Sequence, residues 1–441
     1  GFKMDMYGIL DQKRRGAALS EAQIEYVVRG AASGEIPDYQ LAAFLMAVCI
    51  RGADRFETLA LTRAMTQTGA TVGFDDVPGI VADKHSSGGV GDTTTLIVAP
   101  VCAACGLKVA KMSGRSLGHT GGTIDKLEAI PGLSAALTPE RFKEVLSSCN
   151  LAVAEQTDDI APADRRLYAL RDATATVESI PLIASSIMSK KLALKTDVLV
   201  LDVKCGAGAF MKTRRDALLL AGAMVDIGRS EGRAVRALVT AMDQPLGDAV
   251  GNALEVWEAV EVLSGRREGA PLQRVSVELC AHMLELGGVC ATLEEGREKA
   301  ALALRDGSAL GRLRAMVQLQ GGDANAISSE GAARLLGAKK RLFVHAPKGG
   351  VVRGVDAMKV GLAARMLGAG RLKKTDAVDP AVGVVCRARA GDAVKAGQPL
   401  FEVHANEEAR LDEAAALLRE ACVIGEAGDD EGAEAFVLAV I

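Results

Sequence analysis

The stretch "ADKHSSGGVGDTTT", Ala82–Thr95, packs a lysine, a histidine, three glycines and five hydroxyl side chains together. Glycines let backbone N–H groups approach a ligand closely, and the hydroxyls and ammonium add donors, so the stretch is suited to cradling a small anion. A tight turn is the plainer alternative. The nucleotide pattern GxxxxGK[ST] is absent, and Gly88-Gly89-Val90-Gly91 does not fit the dinucleotide pattern GxGxxG. "AKMSGRSLGHTGGTIDKLE", Ala110–Glu128, repeats the design: an apolar strand runs into Ser113-Gly114, then through glycines to a helix starting near Thr123. Two such loops can face one anion from opposite sides. His119, set between glycines, reads as a structural hydrogen-bonder rather than a catalyst.

In "YALRDATATVESIPLIASSIMSKK", Ser186 and Lys190 are spaced to share one helix face, and Arg171 lies on the preceding helix. Arginine, serine and lysine meeting at one spot would suit a planar group with two carbonyl oxygens and a ring N–H. Solvated surface charges are the alternative that spacing leaves open. "LDVKCGAGAFM" sets Gly206 and Gly208 after a strand, for close approach to a ligand or simply for a turn. Two resemblances mislead. Cys102-Ala-Ala-Cys105 has redox or metal spacing, but it ends an apolar run and has no second pair, so two buried thiols in a last helical turn are expected. Asp356-Ala-Met-Lys359 looks like a biotin-acceptor site, but the rest of such a domain does not surround it, and Lys359 reads as a surface lysine.

The elements that must position these loops are of two kinds. Ser20 and Gln23 form a capping box ahead of Ile24, Val27 and Val28. Pro37 opens a helix with Leu41, Phe44, Leu45 and Val48 on one face, and "LALTRAMTQTG" gives a third helix ending at Gly69. Near residue 80 the texture changes: "LKVAKM" and "DVLVLDV" read as buried strands, and "TPERFKEVLSSCN" as a helix capped by Thr138. Strands alternating with helices predict an α/β lobe with a mixed, largely parallel sheet. "APADRRLYALRD" and "PLIASSIMSKKLA" return to helix, so a small all-helical lobe is built from two separated segments. A C-terminal β-rich α+β segment follows, in which "GDAVKAGQPLFEVHA" reads as a hairpin and strand. The expected division is 1–70 and 161–195 for the helical lobe, 71–160 and 196–335 for the α/β lobe, and 336–441 for the C-terminal segment.

With 441 residues the chain can bury a large core, and its net charge of -4 with only 3% aromatics argues against nucleic-acid binding. No segment approaches the roughly 18 apolar residues of a membrane helix. The start, "GFKMDMYGIL", has too short an apolar region for a secretory leader. Nine scattered cysteines, an odd number, suggest a reducing, cytoplasmic compartment.

Taken together, "DKHSSGGVGDTTT", "KMSGRSLGHTGGTIDKLE" and "YALRD…SIPLIASSIMSKK" resemble the pyrimidine-nucleoside phosphorylases and their thymidine phosphorylase relatives. The resemblance runs from about Met4 to the C-terminus and includes "QPLGDAVGNALEVWEA". It implies a homodimer whose active site lies in the cleft between the lobes, and reversible phosphorolysis of uridine, thymidine or deoxyuridine to free base and α-(deoxy)ribose 1-phosphate. No organic cofactor is implied; orthophosphate is the co-substrate. By the family pattern Lys84, Ser86, Thr95, Ser113 and Thr123 hold phosphate, Lys111 can reach phosphate or the sugar and donate to a 2′-hydroxyl, Arg171, Ser186 and Lys190 hold the pyrimidine, and His85 contacts O2 and donates the proton to the leaving base. A structural potassium-type ion is implied at Gly91, Thr93, Leu246, Ala249 and Glu258. Three positions depart from the pattern: Ser87 for threonine, Ser116 for glycine, and Cys205 for threonine, serine or valine. A side chain at Ser116 requires that its backbone avoid a positive φ or accept strain. Competing readings are a thymidine-specific enzyme, a phosphoribosyltransferase, which would need magnesium-binding carboxylates beyond Asp92, and a non-catalytic nucleoside-binding protein.

Overall fold

The structure, a computed structural model, describes residues 4–116, 118–426 and 435–441. Gly1–Lys3, Leu117 and residues 427–434 lie outside that description, and with them the first residues of the chain and one position of the second glycine loop.

Four helices open the chain: α1 (Met6–Arg14), α2 (Glu21–Ser33), α3 (Asp38–Arg51) and α4 (Arg55–Gln67). The Ser20 hydroxyl accepts from the Gln23 amide at 3.2 Å while the Gln23 side chain accepts from the Ser20 amide at 2.9 Å, the reciprocal cap expected. α4 begins earlier than its apolar run suggests, because Asp54 and Glu57 form a second such cap. The same Glu57 carboxylate takes the buried Lys13 ammonium at 2.8 Å, fastening α1 to α4.

The chain then alternates. β1 (Val81–Ser86), α5 (Thr94–Ala104), β2 (Lys108–Ser113), α6 (Thr123–Glu128), α7 (Pro139–Cys149) and β3 (Leu151–Glu155) lead into α8 (Pro162–Ala173) and α9 (Ile180–Ala193). After these come β4 (Val198–Cys205), α10 (Arg214–Ser230) and β5 (Ala234–Ala241). The sheet order is β13-β5-β4-β1-β2-β3, where β13 (Val437–Val440) is the antiparallel edge of an otherwise parallel sheet. Ala163, Leu167 and Leu182 of α8 and α9 share a core with α1–α4, so the helical lobe is indeed made from two segments. Farther along α9, Ala184, Met188 and Leu192 pack instead against β4, β5 and α10. α9 therefore packs into both lobes.

β6 (Ala249–Val250) pairs with Val384 and Val385 of the C-terminal segment, and helices α11 (Asn252–Leu263), α12 (Pro271–Leu286), α13 (Leu293–Arg305), α14 (Ser308–Leu319) and α15 (Ser329–Ala333) complete the α/β lobe. The C-terminal segment contains β7 (Lys340–His345), β8 (Gly350–Val355), α16 (Ala357–Leu367), β9 (Gly383–Cys386), β10 (Ala393–Val394), β11 (Pro399–Ala405), α17 (Leu411–Ala421) and β12 (Cys422–Gly425). The hairpin expected in "GDAVKAGQPLFEVHA" does not form. β10 pairs with β8, whereas β11 pairs with β7 and β9, so the turn at Gly397 carries the chain from one small sheet to another. A run of alternating residues looks the same whether its two halves pair with each other or with different neighbours. Lys359 sits on α16 with its ammonium 3.7 Å from Glu420. Among the described residues no helix is long and apolar enough to cross a membrane.

Candidate active site

β1 and β2 lie side by side in the parallel sheet, and their carboxyl ends run into the two glycine loops, where open α/β sheets leave a crevice for ligands. A cavity of about 160 Å3 lies between the loops. Ser86 and Thr95 face it from the first loop, Lys111, Ser113 and Thr123 from the second, so five expected phosphate positions meet at one place. The sixth, Lys84, stands just behind: its buried ammonium donates to the Thr94 hydroxyl at 2.5 Å and the Thr95 hydroxyl at 3.3 Å.

Sequence reasoning missed two more lysines here. Lys126 lines the same cavity from α6, held by the Asp92 carbonyl at 2.8 Å and the Glu255 carboxylate at 3.0 Å. Its spacing from Thr123, one helical turn, was the available signal. Lys204 on β4 is fully buried, 2.6 Å from Asp202 and 4.0 Å from Asp92. Burial alone would raise the Asp92 carboxyl, but the charges of Lys204, Lys84 and Lys126 outweigh it and hold the group well below the usual range. Asp92 also accepts from the Ser86 and Thr94 hydroxyls. A carboxylate so engaged has little left for magnesium.

His85 is half-buried at the end of β1. Burial, then the charges of Lys191, Lys111, Lys190 and Lys84, push its ring well below the ordinary histidine range. Lysines of β1, β2 and α9 therefore act on one imidazole. On the helical side, the Asp164 carboxylate of α8 accepts from the Ser186 hydroxyl at 2.9 Å and from Lys190 at 3.1 Å. Ser186 and Lys190 do share a face, and Asp164, which nothing in the spacing marked, holds both. Arg171 is buried and donates to the carbonyls of Thr176, Leu182 and Val177, so it also shapes the turn between α8 and α9. A guanidinium has five N–H groups, which leaves donors for a ligand. Lys191 reaches across to Asp83 at 3.0 Å, joining α9 to β1. The His119 ring bonds the Gly208 carbonyl at 2.9 Å. Cys102 is buried and Cys105, the cap of α5, is half-buried.

Of the five positions implied for a cation, Gly91, Ala249 and Glu258 lie close together around Gly247. A Cβ on Gly247 would run into Glu258 Oε1 and lie 3.1 Å from the Gly91 carbonyl; one on Gly91 would lie 3.3 Å from the Ala249 carbonyl. The Leu246 carbonyl accepts from Arg389 at 2.7 Å, the Thr93 hydroxyl donates to Glu255 at 2.9 Å, and Glu258 Oε2 pairs with Arg267 at 2.9 Å. A carboxylate with carbonyl and hydroxyl oxygens suits a hard cation, but Glu258 Oε2 already accepts from the Asp248 amide and Arg267, and the Gly91 carbonyl from the Thr93 and Gly247 amides.

The departures are accommodated. The Ser87 hydroxyl accepts from the Lys204 amide at 2.8 Å. Ser116 stays out of the left-handed backbone region, and its amide donates to Asp125 at 2.8 Å. Cys205 is buried at the end of β4.

Comparison with known proteins agrees with this layout. Residues 7–69 match the helical bundle domain of a glycosyl transferase family, residues 78–310 its a/b domain, and residues 351–425 the pyrimidine nucleoside phosphorylase C-terminal domain. The chain is 48% identical over 406 residues to the pyrimidine-nucleoside phosphorylase of Geobacillus stearothermophilus, covering 92% of this chain and 93% of that one. It is 47% identical to the enzyme of that name from Bacillus subtilis, with the same coverage. Among solved structures, anthranilate phosphoribosyltransferase from Thermus thermophilus superimposes with a TM-score of 0.57, covering 70% of this chain and 98% of that one at 22% identity, a likeness of fold. Identity of this extent, spanning both lobes and the C-terminal segment, places the chain in the pyrimidine-nucleoside phosphorylase family.

Proposed function

We propose that the protein catalyses reversible phosphorolysis of pyrimidine nucleosides, uridine and thymidine among them, to free base and α-(deoxy)ribose 1-phosphate. The observation that carries this reading is the cavity between the glycine loops, faced by Ser86, Thr95, Lys111, Ser113 and Thr123, with His85 on the strand that leads into the first loop. Orthophosphate occupies the cavity between the glycine loops, held by Lys84, Ser86, Thr95, Lys111, Ser113 and Thr123. It attacks C1′ as the base departs, so positioning replaces a protein nucleophile. Negative charge gathers on the leaving pyrimidine, where Arg171 and Lys190 stabilise it and Ser186 meets the ring N–H. Asp164 sets the last two in place. His85 donates to the base. Burial and the surrounding lysine charges disfavour the protonated ring in the protein without phosphate; a bound dianion offsets those charges and moves the ring back toward its ordinary range. Cytidine is a poor substrate on this reading, because its 4-amino group presents a donor to donors. The deciding assay follows free base released from uridine or thymidine with and without phosphate. Release that requires phosphate supports the reading. Release with pyrophosphate only points to a phosphoribosyltransferase, and none at all to a binding protein.

A potassium-type ion at Gly91, Thr93, Leu246, Ala249 and Glu258 would brace the first loop. KCl should then stabilise the fold relative to equal tetramethylammonium chloride, by about 2.7 kcal/mol at a hundred times Kd, read as a higher Tm. Glu258→Gln should abolish the difference; a difference that survives the substitution removes Glu258 from the site.

We also read the chain as a homodimer. Tyr39, Met46 and Ile50 lie along one face of α3 at 75%, 38% and 72% exposure, an apolar stripe suited to a second copy. Sedimentation mass decides it. The nine free cysteines fit a cytoplasmic location, which cell fractionation checks.

A further inference from the structure

The second glycine loop is fastened from outside by the C-terminal segment. Arg371, buried just beyond α16, donates to Asp125 Oδ2 at 2.9 Å and Oδ1 at 2.7 Å, a two-pronged bond. The same guanidinium reaches the Ser116 hydroxyl at 3.3 Å, and its Nε is held by the Asp376 carbonyl at 3.1 Å. The Arg371 carbonyl accepts from the Gly118 amide at 3.3 Å. Ser116 lies near the start of the loop and Asp125 just past its end, so both ends close on one side chain. α16 also presses against the loop: a Cβ on Gly361 would lie 2.6 Å from the His119 carbonyl. Burial alone would raise the Asp125 carboxyl, but the Arg371 fork and the Ser116 amide outweigh it, so the pair is charged.

A glycine-rich loop has a large choice of conformations to lose on ordering. Donors aimed at an anion are effective only when held in place beforehand. Ser113 and Thr123 stand at the two ends of this loop and face the cavity, whereas Arg371 is not among the residues lining it. We propose that Arg371 is a positioning residue for phosphate, holding the loop 113–123 through Asp125 and Ser116 in the shape that completes the cavity. The C-terminal segment thereby acts on phosphate without touching it. Ser116, where the family resemblance implies glycine, adds a hydroxyl to the clamp and narrows the loop's backbone freedom.

This inference rests on the phosphate reading of the cavity, so the experiment separates the two. Orthophosphate is titrated calorimetrically into the full chain, and KM for phosphate and for uridine are measured beside it. Arg371→Ala should weaken orthophosphate binding and raise phosphate KM by roughly tenfold, the scale of a misplaced positioning group. Uridine KM should change less than about twofold, because uniform binding of the nucleoside is untouched. Arg371→Lys keeps the charge but not the fork and should fall between. Ser116→Gly should shift phosphate KM in the same direction by less. Unchanged orthophosphate affinity in Arg371→Ala, or an equal rise in both KM values, overturns the clamp. Should Arg371→Ala fail to fold, wild-type affinity in both Arg371→Lys and Ser116→Gly overturns it equally. Wild-type protein that binds no orthophosphate sinks the phosphate reading itself.

Discussion

Replacing Lys84 by alanine should lower phosphorolysis by roughly 10²–10³-fold, the loss that follows removal of one preorganised charged donor at a reacting centre. Lys84 is buried on β1 and its ammonium is fixed by the Thr94 and Thr95 hydroxyls at the mouth of α5. Thr95 faces the cavity, so the substitution removes a charge and also frees a hydroxyl that the charge orients. Burial lowers the Lys84 ammonium, while Asp92 and Asp202 favour its charged form. Orthophosphate, brought within reach, adds to that side of the balance. Without Lys84, one of the three lysine charges that offset the Asp92 carboxylate is also gone, so the cavity is less favourable to the incoming dianion. The loss should fall on both phosphate affinity and turnover, with uridine binding the less affected. Near-normal turnover in Lys84→Ala would remove this lysine from the phosphate site.

What the sequence made legible was what chain-local spacing can encode. The glycine loops follow directly on their strands, and Ser186 and Lys190 share one turn of α9. The separation into two lobes followed from helical segments interrupting an alternating pattern. Contacts between distant parts of the chain left no comparable trace. Asp164 meets Lys190 across 26 residues and Arg371 meets Asp125 across 246. No spacing rule connects such pairs, because fold geometry alone brings them together. Lys204 is a further case: a lysine inside a strand buried along its whole length reads as an interruption until Asp202 and Asp92 are seen beside it. The hairpin expected near Gly397 failed for the same reason, since strand partners are chosen by the sheet and not by the strand.

Lys111→Met should lower the ratio of kcat/KM for uridine to that for thymidine by about 10–100-fold, the discrimination carried by one charge-assisted hydrogen bond of roughly 1.5–3 kcal/mol. The two nucleosides differ at the sugar by the 2′-hydroxyl and at the base by a methyl group. The difference Lys111 can address is the hydroxyl. Its buried ammonium faces the cavity and gives one bond to the Lys84 carbonyl at 2.7 Å. An ammonium has three donors, so two remain, enough for phosphate and the 2′-oxygen together. Burial, then the charge of Lys191, hold this ammonium well below its ordinary range, a state that a bound phosphate dianion relieves. Methionine fills similar space, offers no donor, and leaves the 2′-hydroxyl to be desolvated without a partner, whereas thymidine has nothing there to lose. Phosphate affinity should fall for both substrates alike, which is why the ratio and not either rate is the measurement. A wild-type enzyme that ignores uridine, or a ratio unmoved by Lys111→Met, would place recognition of the sugar elsewhere and return the protein to the thymidine-specific reading.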